Sequence, residues 1–227
     1  MEKLIEILYK FADIIGYSVC HRVSERSPIF GLYQFMVCHR CAGTYLGALS
    51  SYIYIFFRFR GKYIKLPDLR YGIFLIIFIS TIFIDVAGTL IGIIPDYPPL
   101  RTLTGALAGS SIALLAYSLL CPQEKEKEAK PILERPTDLL IITGASFLIT
   151  AIVNSKFYPL FIPLTIITIS GIIALFFNTF YLITITISEP KTLNGRIFAI
   201  LISFIGIILF LTLLWHLHRI TDSYIQK

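Results

Sequence analysis

Residues 197–217 read IFAILISFIGIILFLTLLWHL, an unbroken stretch without Asp, Glu, Lys or Arg. As a helix rising 1.5 Å per residue it is ~30 Å long, the thickness of bilayer hydrocarbon. Five more apolar runs lie toward the N-terminus: Leu160–Ile187, Leu139–Val153, Thr102–Leu120, Tyr71–Ile94 and Gly43–Phe57. Their ends carry breakers. Pro95-Asp96-Tyr97-Pro98-Pro99 forbids helix after the Tyr71 run, because proline lacks the donor and restrains the residue before it. Pro136-Thr137-Asp138 is an entry signal for the Leu139 run. The Leu160 run is longer than a crossing needs, which predicts tilt or an interfacial turn. The Gly43 run is short and must draw its first turn from the cysteine motif before it. The fold class is therefore an all-α, polytopic membrane bundle of six transmembrane helices.

Composition agrees. The chain is 56% hydrophobic and 15% charged with a mean hydropathy of +0.77, whereas soluble domains carry about 25% charge. A soluble globule is excluded, as are a disordered chain and a cystine-rich secreted module, since Ile, Leu and Phe dominate and only four cysteines are present. The formal charge of +6 belongs to loops and lipid headgroups in so apolar a chain, and implies no nucleic acid.

Ahead of these runs, Glu2, Glu6, Lys10 and Asp13 recur every three to four residues, opposite Leu4, Ile5, Leu8, Phe11, Ile15 and Val19. That is an amphipathic helix lying in the interface. A crossing here would place five charges in or beside hydrocarbon at about 2.5–3.5 kcal/mol each near its centre, and the same charges argue against a cleavable signal. Four regions result: 1–41 with the interfacial helix and a Cys/His motif, 42–120 with three spans, 121–137 as a charged cytoplasmic connector without chemistry, and 138–227 with three more spans. Eleven Lys and Arg fall in the loops after the first, third and fifth spans, against Arg101 and Lys156 after the second and fourth. The positive-inside rule places the first set in the cytoplasm, and both termini with the Cys motif outside the cell membrane. Lys3, Lys10, Arg22, Arg26 and Arg40 on the outer side offset part of that bias. The pairs Gly43/Gly47, Gly88/Gly92 and Gly105/Gly109 read as close helix contacts that make spans one to three the inner bundle.

Chemistry concentrates in Cys20-His21-Arg22 and Cys38-His39-Arg40-Cys41. A Cys-x-x-Cys turn aims two thiolates at one ion, and soft thiolates with imidazole suit zinc, so Cys20, His21, Cys38 and Cys41 are the candidate metal ligands. The zinc would order a loop with little core of its own. The same cysteines also suit thiol–disulfide exchange, with Cys20 resolving Cys38 and Cys41, or simple burial. Cys121 starts the opposite loop and reads as an inert thiol. Asp85 sits inside the second span, where a carboxylate needs a partner or a function. Arg101 opens the third span, and His216 and His218 close the sixth at the same mouth. Asp85 and Arg101 are candidate catalytic groups. Arg22, Arg26, Arg40 and Arg101 form an anion-binding set suited to a lipid headgroup or a diphosphate.

These residues carry a resemblance. The pattern Cys20-His21-x₃-Glu25-Arg26-Ser27, Gln34-x₃-Cys38-x₂-Cys41-x-Gly43-x-Tyr45-x-Gly47, Asp85-x₂-Gly88 and Arg101-x₂-Thr104-Gly105 resembles the prokaryotic membrane-protein family called domain of unknown function 2085, over roughly residues 17 to 110. Within Cys-x-x-Cys, His39 replaces that family's usual small residue and adds a possible ligand. The resemblance implies one shared site and brings no activity. Three functions fit: a Cys/His metal site beside an Arg/Asp cavity, a membrane thiol oxidoreductase, or a transporter coupled through Asp85. Against the last stands the lack of an internal repeat.

Overall fold

The computed structural model describes residues 2–20, 24–60, 63–120, 129–188 and 192–225. Seven helices are present among them: α1 (Glu2–Val19), α2 (His39–Phe59), α3 (Leu69–Ile91), α4 (Pro98–Ser118), α5 (Pro136–Asn154), α6 (Phe161–Ser188) and α7 (Leu193–Ile225). A 3₁₀ turn, Tyr158–Leu160, leads into α6 at the place where the sequence asks for an interfacial turn. The chain runs up and down. One end holds the described part of the Cys motif, the 92–97 connection, the 155–160 connection and the meeting of α7 with α1; the other holds the C-terminal ends of α2, α4 and α6.

Four helical stretches are long and apolar enough to cross a membrane: Leu69–Ile91, Pro136–Asn154, Tyr158–Ser188 and Asn194–Thr221. Among the described residues this does not confirm the expected count of six. α2 and α4 have the length, 21 residues each, but are rich in Gly, Ala, Ser and Thr. The reason is their position. They pack face to face with α5 and α6 around them, so much of their surface meets protein and can be small or polar, while Ile53, Phe56 and Phe57 of α2 remain exposed.

The two glycine pairs at this contact interlock. A Cβ on Gly43 or Gly47 would overlap the carbonyl oxygens of Thr102 and Ala106, and a Cβ on Gly105 or Gly109 those of Arg40 and Thr44. Ser110 Oγ then donates across the seam to Gly47 O at 3.0 Å. Gly171 of α6 meets Tyr45 O in the same way. α4, α5 and α6 all pack on α2, while α3 packs on α4 and α7 on α6 and α1.

Gly88 and Gly92 do something else, contrary to the expectation of a third packing pair. Gly92 has φ +79° and no atom within 4 Å of where a Cβ would stand, while Ile93 N and Ile94 N both donate to Gly88 O, at 2.9 and 3.0 Å. This is a left-handed helix stop followed by proline, and it ends α3 at Ile91 rather than Ile94.

α1 packs on the end of α7 and on α6. Ala12 and Gly16 face inward, whereas Ile7, Phe11 and Ile14 are exposed and Lys10 stands among them. The side chains of Glu2, Leu4, Ile5, Glu6 and Leu8 lie outside the described residues. His218 Nδ1 lies 2.6 Å from Tyr17 O and fixes α7 to α1, with the two rings edge to face.

At the far end the connector is not the solvated strap that its charges suggest. Residues 121–128, with Cys121, lie outside the described residues. Beyond them β4 (Lys130–Pro131) pairs in parallel with β3 (Ile64–Lys65), and Ile132 and Leu133 are fully buried against Ile55, Phe59, Leu75 and Leu114. Asp138 then caps α5 by accepting from Glu134 N and Arg135 N at 3.1 and 3.0 Å, with Arg58 3.7 Å away.

Candidate metal centre

The centre forms where α1 ends and α2 begins. Helical bonding continues through Cys20, whose N–H reaches Gly16 O at 2.9 Å. Gly16 is pressed onto Met36, so that a Cβ there would overlap the Met36 carbonyl oxygen. This contact brings the last turn of α1 within reach of the residues that open α2.

Between them the chain folds back as a hairpin, β1 (Ile29–Phe30) with β2 (Tyr33–Gln34), turning through Gly31 at φ +63°. The expectation of a loop with little core is corrected here. Phe30, Phe35 and Val37 are fully buried, and Phe161 at the start of α6 contacts the rings of Phe30, Phe35, Tyr33 and Tyr9 at centroid distances of 5.4–6.3 Å. This aromatic cluster gives the cap a core of its own.

Cys38 is the N-cap of α2, with φ −70° and ψ 164°, and offers the helix no oxygen. Cys41 follows in the first turn. The sulfurs of Cys20, Cys38 and Cys41 all lie within 4.8 Å of one another, none joined in a disulfide, and Cys38 N donates to Cys20 Sγ at 3.3 Å. Ligands sharing one tetrahedral ion at about 2.3 Å stand roughly 3.8 Å apart, so the triad would close by up to ~1 Å around a cation. Electrostatics pull both ways. The helix N-terminus favours thiolate, but the Cys20 thiol beside it and burial push the Cys38 thiol above its ordinary range. His21, the fourth expected ligand, and Arg22 lie outside the described residues.

The two residues inside Cys-x-x-Cys point away from the sulfurs. His39 is buried with Nδ1 3.2 Å from Thr102 Oγ1, which also accepts from Asn154 Nδ2 at 3.2 Å. Arg40 reaches α3, where Nε donates to Asp85 Oδ2 at 2.7 Å and Nη2 lies 2.6 Å from the same oxygen. Thr104 Oγ1 adds a third contact to that oxygen at 3.3 Å. Asp85 is 2% exposed, so its side chain is inside the bundle. A charge there costs several kcal/mol unless it is paired.

Arg101 does not share that carboxylate. It is buried and its Nη1 pairs with Asp96, which also lies 3.8 Å from Arg26 Nε. At this mouth the described Arg and Asp residues form two separate groups, Asp85 with Arg40 and Asp96 with Arg101 and Arg26. Sequence reading took Asp96 only as part of a helix stop; an acidic residue between two arginine-bearing elements was the available signal. Gly16, Thr102 and Asn154 carried none. His216 packs beside Trp215 with ring centroids 5.0 Å apart.

The fold and site define a helical membrane protein with a cluster of three thiols at one end of its bundle. It belongs to the family described as a predicted membrane protein, DUF2085, whose model matches residues 20–115. Over 97 residues the chain is 38% identical to an uncharacterized protein of Methanothermobacter thermautotrophicus, covering 43% of this chain and 83% of that one. It is 32% identical over 108 residues to the uncharacterized protein MJ1492 of Methanocaldococcus jannaschii, covering 46% of this chain and 67% of that one. No solved structure matches the chain.

Proposed function

We propose that this membrane protein binds a thiophilic divalent ion, zinc, through Cys20, Cys38 and Cys41, with His21 as the residue placed by sequence to complete four ligands. The observation that carries the reading is the convergence of three sulfurs from two chain segments to within 4.8 Å. A disulfide exchanger needs a pair; a third sulfur at the same distance, and no second paired-cysteine loop in the sequence, favour a metal. With His21 ligated the site is closed and structural, holding α1 to α2. With it free, one position is open to water or to substrate, and the zinc would supply a Lewis acid there.

In this proposal the Cys motif faces the outside of the cell membrane, supported by the eleven positive residues in the loops at the other end. An anionic headgroup or diphosphate at the mouth would compete with Asp96 for Arg26 and Arg101, because that carboxylate already occupies both. The test is metal analysis of protein purified without chelator, together with a thiol count. One zinc per chain is expected, with three thiols unreactive until the ion is stripped. Metal-free protein in which every cysteine reacts at once, and which takes up no added zinc, overturns the reading.

A further inference from the structure

We infer that Asp85 is the positioning residue of the thiol centre, acting through Arg40, and that the seating of α3 on the bundle is thereby coupled to metal occupancy. The inference rests on the metal reading above. α3 is held lightly: of its 23 residues only Leu75 and Asp85 are buried. Leu75 belongs to the core at the far end, with Ile132, Leu133 and Leu114. Ten residues on, about 15 Å along the helix, Asp85 is the buried tie at the end where the thiols lie.

That tie is made to the residue between two ligands. Arg40 stands between Cys38 and Cys41 in the first turn of α2, and its guanidinium is committed to Asp85 Oδ2 at 2.7 and 2.6 Å. Asp85 Oδ1 is buried with no hydrogen-bond partner among the described residues. The carboxylate therefore depends on this one guanidinium and on Thr104 for its compensation. The first turn of α2 is in turn poorly capped. Cys38 supplies no side-chain oxygen to its N–H groups and no acidic residue falls in the turn. An ion shared by the residues at N-cap and N3 would fix that turn from one side; the Asp85 pair fixes the same four residues from the other.

Two devices that order one short segment are linked, because whichever acts first pays the ordering entropy for both. Linkage is reciprocal: the factor by which the ion pair strengthens zinc binding equals the factor by which zinc strengthens the ion pair. Asp85 touches neither the sulfurs nor an ion, so its effect passes through the position of residues 38–41.

The experiment uses the full chain in detergent or nanodiscs. Zinc affinity is measured by chelator competition, and hydrogen exchange is followed in residues 80–91 with and without zinc, for wild type, Asp85→Asn and Asp85→Glu. Expected are a loss of about tenfold in zinc affinity in Asp85→Asn, substantial recovery in Asp85→Glu, and zinc-dependent slowing of α3 exchange in the wild type that Asp85→Asn abolishes. A simple structural role would change α3 exchange equally with and without zinc. Should Asp85→Asn fail to fold, Arg40→Lys keeps the cation, loses the double contact, and should show the same two effects at smaller size. Zinc affinity within twofold of wild type, with α3 exchange insensitive to zinc, overturns the coupling and leaves the metal centre standing. Wild type that binds no zinc overturns both.

Discussion

Gly16→Ala should weaken metal binding without touching a ligand. The added methyl would overlap the Met36 carbonyl oxygen and stand 2.9 Å from its carbon and 3.1 Å from its Cβ. Ordinary separation of such atoms is about 3.5 Å or more, so α1 and the 36–38 strand must part by roughly 0.5–1 Å. Neither side yields easily, since Met36 is flanked by the buried Phe35 and Val37, and α1 is fixed to α7 by the His218 contact. Overpacking of this kind costs about 1–3 kcal/mol. Cys20 is one turn beyond Gly16 and Cys38 two residues beyond Met36, so relief of the clash moves the sulfurs apart, whereas an ion requires them to close. If the whole strain must be met on binding, zinc affinity falls about 5- to 150-fold at 1.4 kcal/mol per factor of ten. Chelator competition reads the affinity and thermal unfolding of the metal-free protein reads the strain. Gly144→Ala is the control, because nothing lies within 4 Å of its Cβ position. A Gly16→Ala protein with wild-type zinc affinity and unchanged unfolding would refute the positioning of Cys20 by this contact.

Gly105→Ala and Gly109→Ala should each lower bundle stability by about 1–3 kcal/mol by wedging α2 from α4, measured by thermal unfolding in detergent. Phe161→Ala removes the ring at the centre of the cap and should cost about 3–5 kcal/mol there; limited proteolysis should open residues 27–37 while leaving 129–135 protected. Zinc affinity should fall as pH falls, because Cys38 is held protonated by its neighbour and by burial and ligation must expel the proton; each thiol deprotonated on binding contributes up to about tenfold per pH unit, and titration in two buffers of different ionisation enthalpy counts the protons.

The apolar runs made the helices legible because transfer into lipid demands long apolar segments, and Asp85 is the one Asp, Glu, Lys or Arg within them. The same demand hid the difference between α2 or α4 and the rest: a helix that meets only other helices can carry serine and threonine, and its hydropathy then reports its neighbours. Gly43, Gly47, Gly105 and Gly109 were legible as packing residues, while Gly88 and Gly92 share their spacing and end a helix instead. Four-residue spacing fits either use, and Pro95 just beyond was the distinguishing mark. Ile132 and Leu133 are too short a run to register beside the charges of 124–130, yet they seal the far core. At the site, residue types identified the thiols, since few other groups suit a soft cation. Which arginine meets which carboxylate was not legible, because it depends on the rotation of α3 about its axis and on the path of residues 92–97.

That pairing has a consequence for the thiols. Arg26, Arg40 and Arg101 face Asp85 and Asp96, so the described ion pairs at this mouth leave one positive charge over. Three thiolates around a divalent ion carry one negative charge, and around a monovalent ion two. At the border of a low-dielectric bundle an uncompensated charge is expensive, so on the proposed metal reading a divalent ion is the one that would match the charge left by these three arginines and two carboxylates. The balance also explains why Asp85 is spent on Arg40. Were that guanidinium unpaired beside the cysteines, it would stabilise thiolates without an ion and so compete with a metal for them; its contacts with Asp85 commit it to α3 instead.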